Sequence, residues 1–324
     1  METVESIEYD SENEILYISN GSTMGKVQGV TNKSYLEIKD YFQKIVIGSI
    51  IWQKERIMLQ LESIRKINNL TPQSLGLIDI ALWDLLGKIQ QLPVYQLLGG
   101  FRNKIPAYSE SFGDIKDIRK DIETAQRDGF TAHQFEFSNT DHISKKLAVL
   151  PNNISDSFIF LATGKRSLIL QDAIFIAREL ESFGFHWFEC PLSINDPNSL
   201  QKLNTSVSLP IVEGNFGVSN AGAAMKGLVD RVVDRLRFEI PTMGGISEAI
   251  KWARGSEALG MNCEIAWTNL VGPNPAVHVL GAIRNAELIS WRPNESNLAL
   301  SEGNITIPAL PGLGYEMNRE ANSL

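Results

Sequence analysis

The side chains of this 324-residue chain that could carry chemistry are scattered carboxylates and one lysine near the ends of short apolar runs. Lys165 follows the run FIFLA, two residues after Thr163. Alternation along an extended segment turns residues 163 and 165 to the same side. An amine there can pair with a carboxylate, or form an imine with a carbonyl substrate if burial lowers its pKa. Glu136 in AHQFEF and Glu239 in LRFEI are each a candidate proton acceptor or one half of an ion pair. Arg237 stands two residues before Glu239, so both face one way, and Arg237–Glu264 reads as an internal ion pair. Cys190 and Cys263 read as packed thiols, because no motif pairs a histidine with either. Two cysteines are also too few for a disulfide framework or a zinc cage. No G-x-G-x-x-G, Walker loop or G-x-S-x-G occurs, which leaves nucleotide-binding and serine-hydrolase readings without support.

The elements that must position these residues fall into two stretches. Up to about Lys104 the chain reads as strands at 7–9, 15–19 and 26–30, then helices over 35–47 and 51–67. A third helix runs through TPQSLGLIDIALWDLLGKIQ, with Thr71 as its cap, Pro72 in its first turn, and Leu75, Ile78, Leu82, Leu85 and Ile89 at helical spacing. From Ile105 onward strands and helices alternate. Strands are expected at 105–109, 132–137, 158–162, 186–189, 210–213, 236–240, 262–266 and 288–291. Eight strands separated by helices point to a parallel sheet, most economically closed into a barrel. The tail from Asn297 is strand-like and is expected to return to the first domain.

Composition bounds the function. Apolar residues make up 43% and charged residues 21%, enough apolar side chain for a full core. The net charge of -8 has the wrong sign for a nucleic-acid binder. The opening METVESIEYD is polar and acidic, unlike a signal peptide, and no apolar run reaches the ~20 residues of a membrane span. The chain therefore reads as a soluble, cytoplasmic protein without a membrane partner.

The segment from Ile78 to Glu110, IDIALWDLLGKIQQLPVYQLLGG followed by IPAYSE, resembles the enolase superfamily in its mandelate racemase/muconate-lactonizing branch. GFTAHQF, WFECPL, LPIVEGN, EIPTMGGISEA and GMNCEIAW follow in the family's order, so the resemblance runs from about Thr71 to Trp291. It implies an α/β fold: a modified (β/α)7β TIM-like barrel over 105–296, and an N-terminal α+β capping domain over 1–104 joined by the tail 297–324. It also implies a homo-oligomer, and a small carboxylate or sugar acid as ligand. In the family a Mg²⁺ ion at the strand ends holds the substrate carboxylate while a base removes the adjacent proton.

Carried over position by position, the resemblance implies a depleted site. Of three metal carboxylates only Glu189 is retained, because Thr163 and Asn215 stand where the family places the other two. A slip of register would bring in Glu213 instead, but Glu213 sits where the family does not place its ligand. Lys165 replaces an asparagine, and its ammonium would repel a cation: two like charges at about 4 Å repel by roughly 4 kcal/mol at an effective dielectric of 20. The expectation is therefore no cofactor, with Lys165 taking over the neutralisation of Glu189. Gln134 and Glu136 stand at the strand-two base positions, Glu239 at the acid of the family's Asp–His pair, Ala266 at its histidine, and Ser290 at the last acid. His133, His142, His186 and His278 occupy none of the family's positions. The candidate catalytic residues are thus Lys165, Glu239 and Glu136, with Gln134, Thr163, Asn215 and Ser290 as binding residues. The Ser/Thr/Asn-rich Asn20–Gly25 stretch is what remains of a substrate-covering loop. Lost proton-abstraction chemistry is the leading reading, with a divergent sugar-acid dehydratase or racemase as the alternative.

Overall fold

The computed structural model describes residues 2–111, 117–141, 143–148, 150, 158–193, 196–214, 221–292, 296 and 298–315. Near the N-terminus, β1 (Ser6–Asp10), β2 (Ile15–Ser19) and β3 (Met24–Gln28) form an antiparallel sheet. Leu16 and Ile18 of β2 and Val27 of β3 alternate onto one fully buried face. The Pro72–Ile89 helix packs over that face. Thr71 stands at its N-cap, but the hydroxyl does not cap; it donates to the Glu37 carboxylate at 2.8 Å. The helix expected over 35–47 spans Asn32–Val46 in three pieces, with a wider π turn at Ile38–Phe42. Ile38, Phe42 and Val46 are all fully buried there.

Eight parallel strands follow: β4 (Lys104–Glu110), β5 (Ala132–Glu136), β6 (Ile159–Thr163), β7 (Phe188–Glu189), β8 (Ile211–Glu213), β9 (Arg235–Glu239), β10 (Cys263–Ala266) and β11 (Ile289–Ser290). They pair in sequence from β4 to β10, and β11 pairs back onto β4. The Cys263 amide donates to the Asn285 carbonyl at 2.8 Å and the Trp267 indole to the Ser290 carbonyl at 2.7 Å, which ties β10 to β11 and closes the ring. The fold is an α/β barrel beneath an N-terminal α+β cap. Its interior is filled, because Tyr108, Ala132, Leu161, Trp187, Val212 and Leu288 form one buried cluster.

The tail forms a hairpin, β12 (Leu300–Ser301) and β13 (Asn304–Thr306), with β13 antiparallel to the start of β4. It then reaches the N-terminal helix, where buried Asp84 accepts the Leu313 amide at 2.8 Å and the Lys26 amide at 2.9 Å. A second buried carboxylate, Asp79, ties the cap to the barrel by accepting the Ser247 amide at 2.8 Å and an ion pair from Lys54. Gly76 allows this approach: a Cβ there would overlap the Pro241 carbonyl and lie 2.9 Å from the Gly245 amide nitrogen. Both contacts fix how the cap rests on the barrel.

Candidate functional site

The parallel ladder sets Glu136, Thr163 and Glu189 level with one another at the ends of β5, β6 and β7. Glu189 is buried and both its oxygens are engaged. Oε2 accepts from the Gln134 carboxamide at 3.0 Å, and Oε1 pairs with Arg237 Nε at 3.0 Å. Burial works against the Arg237 charge, but the Glu189 carboxylate more than offsets it and holds the guanidinium above its ordinary pKa.

Beside this pair lies a second one. Glu213, fully buried, accepts from Arg166 at 2.6 Å, from the Gly214 amide at 2.8 Å and from the Cys190 thiol at 3.4 Å. Cys190 Sγ is also 3.9 Å from Glu189 Oε1, so one polar strip runs from Gln134 through Glu189 and Cys190 to Arg166. Burial, with both carboxylates adjacent, raises the thiol well above its usual pKa, which makes it a hydrogen-bond donor rather than a nucleophile.

Two sequence expectations are corrected here. Arg237 does not pair with Glu264; that carboxylate is taken by Arg235 at 2.9 Å. The backbone register does place Glu264 level with Arg237, but two arginines spaced by two share this face. Arg235 takes the acid at mid-barrel, and Arg237 reaches across to Glu189. Nor is Lys165 the cation brought onto Glu189. Strand alternation stops with β6 at Thr163, and Lys165 and Arg166 both turn into the left-handed region, at φ 49° and 60°. Lys165 is exposed, and its amide donates to Thr163 Oγ1 at 3.3 Å.

Gln134 and Thr163 are buried beside Glu189, while Glu136 and Glu239 are half-buried at the ends of β5 and β9. Ser290 is buried at the end of β11, its carbonyl bonded to Trp267. Asn215 and His142 lie outside the described residues. His133 faces away from the barrel interior between the Ser109 and Ser111 hydroxyls, each at 2.7 Å, and burial lowers its pKa to about 4. His186 pairs with Glu287 at 2.5 Å, near the Arg235 end of β9. Sequence reasoning missed Arg166 and the Arg292–Glu110 pair, 3.2 Å apart at the ends of β4 and β11. The signal for Arg166 was its place in GKR, just past a strand end.

The N-terminal domain model of the mandelate racemase/muconate lactonizing enzymes matches residues 15–99, and the enolase C-terminal domain-like model matches 117–321. The chain belongs to the mandelate racemase/muconate lactonizing family of the enolase superfamily. A curated family relative is the L-Ala-D/L-Glu epimerase of Clostridium acetobutylicum, 24% identical over 92% of this chain and 86% of that protein. A solved racemase from Streptomyces coelicolor A3(2) with bound magnesium superposes at a TM-score of 0.80, with 18% identity over 96% of both chains. A D-glucarate dehydratase from Agrobacterium tumefaciens complexed with magnesium gives 0.80, with 22% identity over 96% of this chain and 93% of that one. The family members similar to this chain are thus epimerases, racemases and sugar-acid dehydratases.

Magnesium is present in both of those solved relatives, which overturns the expectation that no cofactor belongs to this kind of site. The donor set of this chain nevertheless differs from a magnesium cage. Mg²⁺ demands near-octahedral oxygen ligation. Glu189 already holds a guanidinium and a carboxamide N–H, Thr163 is neutral, and Glu213 holds Arg166. Among the described residues no cluster of three or more His, Cys, Asp or Glu side chains could hold a metal ion. In this arrangement the described residues do not fit the ion. Among the described residues no helix is long and apolar enough to cross a membrane.

Proposed function

We propose that this protein binds a small hydroxy acid or sugar acid at the barrel mouth and has lost the proton abstraction performed by its racemase and dehydratase relatives. The observation that carries the reading is the Arg237–Glu189 pair, which fills the one retained ligand position with a salt bridge. Three of the five positions where the family keeps its proton-transfer groups support it. Gln134 spends its amide on Glu189, Ala266 is apolar, and Ser290 is a neutral hydroxyl beside a bonded carbonyl. Removing a proton next to a carboxylate needs a base within hydrogen-bond reach and stabilisation of the charge that develops. Arg237 and Arg166 supply donors suited to a carboxylate, in a fork that can donate to two oxygens at once. Thr163, Gln134 and Lys165 at the same strand ends are the proposed partners for ligand hydroxyls and charge.

A second reading, a divergent sugar-acid dehydratase or racemase, draws on Glu136 and Glu239. Both are half-buried carboxylates at the ends of barrel strands, where a base would stand. One experiment separates the two readings. The protein is incubated with a panel of hydroxy acids, sugar acids and dipeptides in D₂O, with and without Mg²⁺, and followed by proton NMR and thermal melting. The lost-chemistry reading expects a rise in melting temperature with at least one acid and no deuterium at the carbon next to its carboxylate. Deuterium incorporation or product formation establishes the second reading instead.

A further inference from the structure

We propose that the cleft between the Lys54–Ile67 helix of the cap and the Ile246–Ala258 helix of the barrel binds a small apolar carboxylate, its chain on Leu59 and Met243 and its charge on Arg56. The cleft has a volume of about 510 Å³ and lies on the seam between the two domains. That volume is in the range of small-molecule sites, which favour domain boundaries. None of the mouth residues around Glu189 lines it. Its lining is apolar at the base. Leu59, 69% exposed, stands beside buried Met58 and Leu75 and half-buried Met243. Gly244 keeps one end open, since a Cβ there would lie 3.2 Å from the Leu75 side chain.

Charge selects the head group. Three carboxylates stand on the rim and each is taken. Glu62 pairs with Arg65 at 2.6 Å and Lys66 at 3.3 Å, while Lys251 pairs with Glu55 at 3.3 Å and Glu248 at 3.7 Å. Arg56 is the fourth cation of the rim. Among the described residues it meets no carboxylate, and it hydrogen bonds to Gln53 at 3.4 Å. An anion with an apolar body answers both the spare guanidinium and the apolar base. A cleft of this volume holds one short acyl chain or aryl group, whereas a partner helix is about 10 Å across. Ser247 also lines the cleft, and its hydroxyl is bonded to Lys54 and Asp79 at 2.7 Å each. An occupant therefore rests on the contact that seats the cap on the barrel.

The test titrates sodium octanoate into the full chain labelled with ¹³C at the methionine methyls, with octanamide as the uncharged control. The Met58 and Met243 resonances are expected to move together and to saturate with a Kd below about 1 mM. Octanamide, and octanoate with Arg56→Gln, are each expected to bind at least tenfold more weakly. No movement up to about 10 mM overturns the proposal. So does octanoate that shifts other methyls and leaves Met58 unmoved, which is the result for an acid held only at the mouth. Equal affinity for octanamide, or an unchanged affinity in Arg56→Gln, overturns it too. Arg56 is exposed and outside the ion pairs, so its variant is expected to fold; should it not, the octanamide comparison on the wild type decides alone.

Discussion

Arg237 and Glu189 sit on strands that are not neighbours, yet their side chains meet across β8 inside the barrel, Nε to Oε1 at 3.0 Å. The pair is buried enough that neither charge is well solvated alone. Removing one partner leaves the other uncompensated, which typically costs about 3–5 kcal/mol, whereas replacing both by apolar or neutral groups costs far less. Glu189→Gln is therefore expected to lower unfolding stability by roughly 3 kcal/mol in urea. The double variant Glu189→Gln with Arg237→Met is expected to recover most of that loss. Additive losses would show that the two groups do not depend on each other.

Glu264 gives the barrel a pH dependence. Burial outweighs the Arg235 partner and raises its pKa to about 8. The folded state then holds a proton that the unfolded chain has released between the ordinary carboxylate range and about pH 8. The stabilisation is fully present below the unfolded pKa and is lost as pH rises through the folded one, with a slope of up to about 1.4 kcal/mol per unit. Urea midpoints at several pH values across that window are expected to fall in the wild type. Glu264→Gln is expected to flatten the profile and to be the more stable protein at its upper end.

The opposite sign holds at Glu287. The His186 hydrogen bond is the largest cause, with Arg235 adding to it, and together they hold the carboxyl at about 2. Its contribution is fully present above the unfolded carboxylate pKa and is lost as pH falls from there through about 2. Glu287→Gln is expected to remove part of the stability loss between pH ~4.5 and pH ~2 seen by thermal melting in acid.

His133 and His278 are both driven to about 4 by burial. In NMR titrations neither imidazole is expected to show a transition between pH ~5.5 and pH ~8, where an unperturbed histidine titrates. A midpoint near 6.5 for His133 would mean that its pocket between Ser109 and Ser111 is open to water.

Gly76 tests how the cap rests on the barrel. Any Cβ there meets the Pro241 carbonyl and the Gly245 amide, both backbone atoms that cannot turn aside. Gly76→Ala is expected to cost about 1–3 kcal/mol by overpacking, despite alanine's better helix propensity. A neutral or stabilising result in thermal melts would show that the two domains separate readily.

Much of this architecture was legible from the chain itself. The spacing of Leu75, Ile78, Leu82 and Leu85 fixed the helix that covers the N-terminal sheet, and the eight strand-like runs after Ile105 correspond to β4 through β11. The family resemblance put Glu189, Thr163 and Gln134 at one mouth; the ladder sets Thr163 level with Glu189, and the Gln134 carboxamide donates to Glu189. Periodicity reports which way a side chain faces while the strand lasts. It fails where the strand stops: Thr163 obeyed it, and Lys165, two residues later, beyond β6 and in the left-handed region, did not. It is also silent about which of several facing groups will pair. Arg235 and Arg237 share a face with Glu264 in reach, and only the reach of each guanidinium across the closed ring assigned Glu264 to one and Glu189 to the other. Sequence determined the barrel and which strands carry Gln134, Thr163 and Glu189; closure of the ring decided which charge stands against Glu189.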